Sequence, residues 1–139
     1  MSADTSVTLV LPARPEYLLL ARLALTGLAR PSEADEEALA DVRLAVTEAA
    51  ANACKHAYVD GVGDVTITFV LGDDGRLEVV VEDDGIGFER DGVADWRPDE
   101  LGEEGMGLAI IRAVANEVEI GPRASGLGTR LCFTRSLRG

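Results

Sequence analysis

Ser6 to Leu11 (SVTLVL) alternates polar and apolar positions and predicts a β-strand, stopped by Pro12 and Pro15. Pro15 suits the first turn of a helix. From Glu16 to Arg30, Leu18, Leu19, Leu23, Leu25 and Leu28 support an amphipathic helix that ends before Pro31. Ser32, with Asp35 three residues on, has the form of a capping box for a long helix from about Glu33 to Tyr58. Its stripe is Leu39, Val42, Val46, Ala49 and Ala53, at spacings of three, four and seven. Two strands follow, Val65 to Leu71 and Leu77 to Glu82, joined by the hairpin chemistry of Gly72-Asp73-Asp74-Gly75. Asp84 to Gly105 keeps no period and reads as a long loop. A helix from about Met106 to Asn116 and strands near Val118–Ile120 and Thr129–Thr134 complete the chain. The order β-α-α-β-β-loop-α-β-β predicts an α/β two-layer sandwich, a mixed, mostly antiparallel sheet with helices on one face.

Composition narrows this picture. A chain of 139 residues fits one domain, expected over 1–139, and 47% hydrophobic but only 4% aromatic residues require an aliphatic core. The formal charge of −12 opposes binding to a nucleic-acid backbone, so no direct nucleic-acid partner is expected. Arg123, Arg130, Arg135 and Arg138 form an acid-free basic end, first a solvated strand end and second a partner surface. Cys54 and Cys132 read as small buried thiols, not as a disulfide framework. No apolar run approaches the ~20 residues of a membrane span, and the first residues do not resemble a leader, so the expected compartment is the cytoplasm with no membrane partner.

Four clusters carry candidate chemistry. Glu48 and Asn52, four apart in the long helix, project from one face, with Lys55 beside them. An acid, an amide oxygen and an ammonium on one stripe can serve as base, metal ligand and phosphate contact, although a solvated helix face has the same pattern. Asp83 shares strand parity with Leu77, Val79 and Val81 and should point under the helices, and Gly85 and Gly87 then allow close approach of a ligand. Gly105, Met106, Gly107 and Leu108 open a helix, where free N–H groups attract anions. Thr129 shares parity with Leu131 and Phe133, so it and Asp83 could meet over one buried ligand.

In this order and on these elements, the clusters resemble the ATP-binding boxes of the GHKL superfamily, the fold of gyrase and histidine-kinase ATPase domains. The leading PARPEYLLLARLAL and the phrase RLAVTEAAANACKHAY look most like bacterial anti-sigma factors that are also serine/threonine protein kinases. The resemblance covers about Leu9 to Thr134. It implies Glu48 as the acid that activates or orients the attacking hydroxyl, Asn52 as the Mg²⁺ ligand and Lys55 as a phosphate neighbour. It implies Asp83 as acceptor of the adenine amino hydrogen, with Thr129 in support, and Gly85, Gly87, Gly105 and Gly107 as the glycine boxes. Arg22 matches an arginine of the first helix that contacts protein partners.

The resemblance therefore implies ATP and Mg²⁺ as cofactors, a sigma factor and an anti-sigma-factor antagonist as partners, and a homodimer. The outward valines Val70 and Val80 bear on the homodimer. Residues 82–104 depart from what a triphosphate prefers, with ten acids against Arg90 and Arg97. Two other readings remain: a module that binds ATP without kinase turnover, and a detached histidine-kinase catalytic domain. The G-x-x-x-x-G-K-[ST] motif is missing, so P-loop chemistry is not indicated.

Overall fold

A computed structural model describes residues 4–56, 63–83, 103–123 and 128–138, with backbone alone for residues 55, 56 and 103–106. β1 spans Thr5–Pro12, and a 3₁₀ turn at Pro15–Tyr17 leads into α1, Leu18–Ala29. α2 spans Glu36–His56. The strands β2 (Asp64–Leu71) and β3 (Arg76–Asp83) form a hairpin. α3 (Glu103–Val114), β4 (Glu117–Pro122) and β5 (Thr129–Ser136) follow.

The five strands form one sheet in the order β1-β2-β3-β5-β4. All four pairings are antiparallel, so among the described residues the sheet lacks the parallel pair that a mixed sheet would carry. The two-layer arrangement itself is as the sequence predicts. Inward positions alternate along the central strands: Val65, Ile67, Phe69 and Leu71 on β2, and Leu77, Val79 and Val81 on β3, are all buried.

The helices differ in how they meet this sheet. Leu39, Val42, Val46, Ala49 and Ala53 of α2 are all buried, as the stripe predicts. The alanines matter because short side chains let α2 approach both the sheet and α3 closely. α1 corrects the expectation. It buries Ala21, Leu25 and Ala29, while Leu19, Leu20 and Leu23 stay 53%, 45% and 57% exposed. A helix of sequence LLLARLALTGLA is apolar on nearly every side, so its period cannot select the face that packs.

Capping also departs from the predicted pattern. The backbone N–H of Ala38 donates to Asp35 Oδ2 at 3.2 Å, so Asp35 caps α2 and the helix begins after it. Ser32 Oγ instead donates to the Ala29 carbonyl at 2.7 Å and closes the end of α1. Asp35 N–H is fixed by the Leu137 carbonyl at 2.6 Å, while Leu137 N–H donates to the Gly75 carbonyl at 2.9 Å. The C-terminal segment thus ties the start of α2 to the β2–β3 turn. At α3 the helix starts at Glu103, before Gly105 rather than after it.

Two of the four C-terminal arginines work inside the fold rather than at a free basic end. Arg135 pairs with Asp41 of α2 at 3.1 Å and donates to the Val114 carbonyl at the end of α3. Arg123 pairs with Glu82 at 3.3 Å.

Candidate functional site

The sheet face under α2 carries one buried charged side chain among the described residues: Asp83, 6% exposed. Strand parity brings it there, since Leu77, Val79 and Val81 fill the same face before it. Asp83 is the direct register partner of Thr129, at the last residue of β3 and the first of β5. Such cross-strand pairs hold their Cβ atoms about 4.5–5.5 Å apart. A carboxylate and a hydroxyl are therefore adjacent at one end of the sheet, each able to accept a hydrogen bond from a ligand.

The second part of the site lies between two helices. Glu48 and Asn52, both half-buried, sit one turn apart on α2. Their side chains lie against α3 at Gly107, where an added Cβ would be 2.9 Å from Glu48 Oε2 and 3.3 Å from Asn52 Nδ2. Leu108 and Ile111, both buried, anchor α3 in the core beside this contact. Upstream on α2, Thr47 Oγ1 donates to the Arg43 carbonyl at 2.8 Å. Arg43 in turn donates to Thr26 Oγ1 of α1 from Nε and Nη2 at 3.3 and 3.2 Å. The acid-bearing turn of α2 is thereby fixed to α1.

Most predicted site residues fall on this construction. Glu48, Asn52 and Gly107 come together, and Asp83 pairs with Thr129 in register. Gly105 and Met106 occupy the first turn of α3 and Lys55 the last turn of α2, the side chains of Met106 and Lys55 lying outside the described set. Gly85 and Gly87 lie outside the described residues. Arg22 is exposed on α1, away from the core face. Sequence reasoning missed its apolar surroundings: Leu19 and Leu23 flank it on the exposed side, and Leu20 lies three residues before Leu23. The signal was the surplus of leucines over what one buried stripe can use.

The fit to a nucleotide follows from these groups. A buried carboxylate suits the amino edge of a purine, and a helix start suits phosphate. No cluster of three or more metal-ligating side chains occurs among the described residues. Mg²⁺ does not need one, because it usually keeps water and phosphate oxygens and takes one or two protein oxygens. Asn52 Oδ1, half-buried against α3, could serve as such an oxygen. The two thiols stand apart from this chemistry. Burial, with Glu16 adding, raises the Cys54 pKa, and burial, with Glu78 adding and Arg130 opposing, raises that of Cys132.

Comparison with known proteins gives the class first. Residues 11–135 match the histidine kinase-like ATPase domain family, and the chain belongs to it. The relatives are more particular. The chain is 36% identical over 123 residues to serine-protein kinase RsbW of Listeria monocytogenes serotype 4a (strain HCC23), covering 82% of this chain and 78% of that protein. It is 34% identical over 142 residues to serine-protein kinase RsbW of Bacillus subtilis (strain 168), covering 96% of this chain and 86% of that protein. A crystal structure of the RsbU and RsbW domains of Rv1364c from Mycobacterium tuberculosis shares the fold, with a TM-score of 0.66 at 24% identity. That likeness covers 96% of this chain and 34% of the longer mycobacterial chain. No helix among the described residues is long and apolar enough to cross a membrane.

Proposed function

We propose that this chain is an ATP-dependent serine/threonine protein kinase that sequesters an RNA polymerase sigma factor and phosphorylates a Ser or Thr of an anti-sigma-factor antagonist. The observation that carries the reading is the meeting of Glu48 and Asn52 with Gly107, together with a buried Asp83 paired in register with Thr129. Family membership and RsbW relatives support the same reading.

Each residue then has a task. Asp83 accepts the adenine amino hydrogen and Thr129 supports it, so the purine is held at the end of β3. Gly85, Gly87, Gly105, Met106, Gly107 and Leu108 frame the phosphates, with Lys55 as a cationic neighbour. Asn52 offers its amide oxygen to Mg²⁺, which when bound neutralises charge on the phosphates. Glu48 accepts or orients the proton of the acceptor hydroxyl. That oxygen forms a bond to the γ-phosphorus, the bond to the β,γ-bridging oxygen breaks, and ADP leaves. Positioning supplies most of the rate in such a transfer.

Residues 1–139 act as one ATP-binding domain, working in the cytoplasm as a homodimer. Arg22, with Leu19 and Leu23 beside it, forms a partner surface where an apolar flank and a cation can meet an amphipathic helix carrying an acid. Incubation with labelled ATP, Mg²⁺ and a panel of antagonist proteins from the same genome tests the reaction. Transfer to one of them that is lost in Glu48→Gln is the expected result. No transfer to any, or equal transfer by the variant, overturns the kinase reading, and nucleotide-stabilised partner binding without turnover would support a binding module instead.

A further inference from the structure

A glycine inside a helix is less favourable than alanine, so a buried one in α3 calls for a packing reason. Gly107 is buried, and the atoms facing its missing side chain belong to α2. A Cβ there would lie 2.9 Å from Glu48 Oε2, 3.3 Å from Asn52 Nδ2 and 3.5 Å from Asn52 Oδ1. The first distance is shorter than packed carbon and oxygen atoms tolerate. The two helix backbones cannot easily separate, because Leu108 and Ile111 on one and Ala49 and Ala53 on the other are buried in the common core. What must move is the free end of the Glu48 side chain.

We propose that Gly107 is a positioning residue: its lack of a side chain is what lets the Glu48 carboxylate rest against α3 at the position from which it meets the acceptor hydroxyl. This rests on the kinase reading of Glu48 given above. It adds to the phosphate-framing role given to Gly107, because the nearest atoms a methyl group would meet are the acid and the amide of α2. Displacing a proton acceptor by a few tenths of an ångström slows proton transfer while leaving the purine subsite at Asp83 untouched.

Two measurements test this. The first is the melting temperature of wild type, Gly107→Ala, Glu48→Ala and the double variant, which needs no acceptor. Alanine should raise the melting temperature more in the Glu48→Ala background, where its methyl group meets no carboxylate, than in the wild-type background. Equal shifts overturn the proposed contact. If Gly107→Ala does not fold, recovery of folding in the double variant supports the proposal, and failure to recover overturns it.

The second is transfer to the antagonist identified by the panel, with Glu48→Gln alongside. Gly107→Ala should lower kcat at least tenfold, a larger factor than any rise in KM for ATP that the same methyl group causes through Asn52 and the phosphates. A wild-type kcat in Gly107→Ala with an inactive Glu48→Gln overturns the positioning role and leaves the kinase reading intact. Full transfer by Glu48→Gln overturns the kinase reading first and this inference with it.

Discussion

Asp83 and Thr129 are register partners across β3 and β5, which sets a buried carboxylate beside a hydroxyl at one end of the sheet. If both hold the same purine, their contributions differ in kind. The carboxylate makes a charge-assisted hydrogen bond and the hydroxyl an ordinary one worth about 0.5–1.5 kcal/mol. Thr129→Val should therefore weaken ATP binding by about two- to tenfold, measured by calorimetry, with the far-UV circular dichroism unchanged.

Arg135 joins three elements: it pairs with Asp41 of α2 and donates to the Val114 carbonyl that ends α3. Hydrogen bonds from charged groups in such half-buried settings contribute about 1.5–3 kcal/mol. Arg135→Met should lower unfolding free energy in urea by about 1–3 kcal/mol. Arg76 and Glu117, whose side chains are 50% and 71% exposed, form the contrasting pair, and Glu117→Gln should change stability by less than about 1 kcal/mol.

Gly75 has φ +84°, and a Cβ there would lie 2.8 Å from the Arg138 side chain. Left-handed backbone costs an L-residue about 1–2 kcal/mol. Gly75→Ala should destabilise the fold by about that amount in urea titration, with Arg138 turning outward to make room.

Much of this fold is legible in the residues, and the exceptions have physical causes. Alternation along Val65–Leu71 and the Gly72–Gly75 turn define the hairpin because the inward face is buried and Gly75 supplies the positive φ, +84°, that the turn needs. The α2 stripe is readable because Leu39, Val42, Val46, Ala49 and Ala53 repeat at helical spacing, even though Leu44 on the other side stays 45% exposed. α1 is not readable in that way: with leucine at positions 18, 19, 20, 23, 25 and 28, choosing the buried face requires knowing where β1 and β2 lie. The basic end misleads for a related reason, since Arg135 finds Asp41 ninety-four positions upstream, a pairing that only the tertiary fold creates. In the site, Glu48 and Asn52 are found from helical spacing, and Asp83 from strand parity. That Gly107 faces them both depends on how α3 docks, which no spacing within α3 reveals.

Both thiols titrate above their ordinary value of 9.0, with burial the larger cause in each. The folded state therefore favours the neutral thiol. That contribution to stability is fully present below the unfolded value and is lost as the pH rises through the higher folded values. Between about pH 8 and 10, the urea midpoint of wild type should fall more steeply than that of Cys54→Ala/Cys132→Ala. Parallel slopes would show that the thiols do not couple to folding.

In the proposed pocket the Asp83 carboxylate holds an adenine nucleotide under α2. Calorimetric titration of wild type and Asp83→Asn with Mg²⁺ and ATP tests it most directly. Losing a charge-assisted hydrogen bond of about 1.5–3 kcal/mol should weaken binding by roughly 10- to 150-fold in the variant, with its melting behaviour preserved. Equal affinity in the two proteins, or no heat from ATP with wild type, would contradict the account.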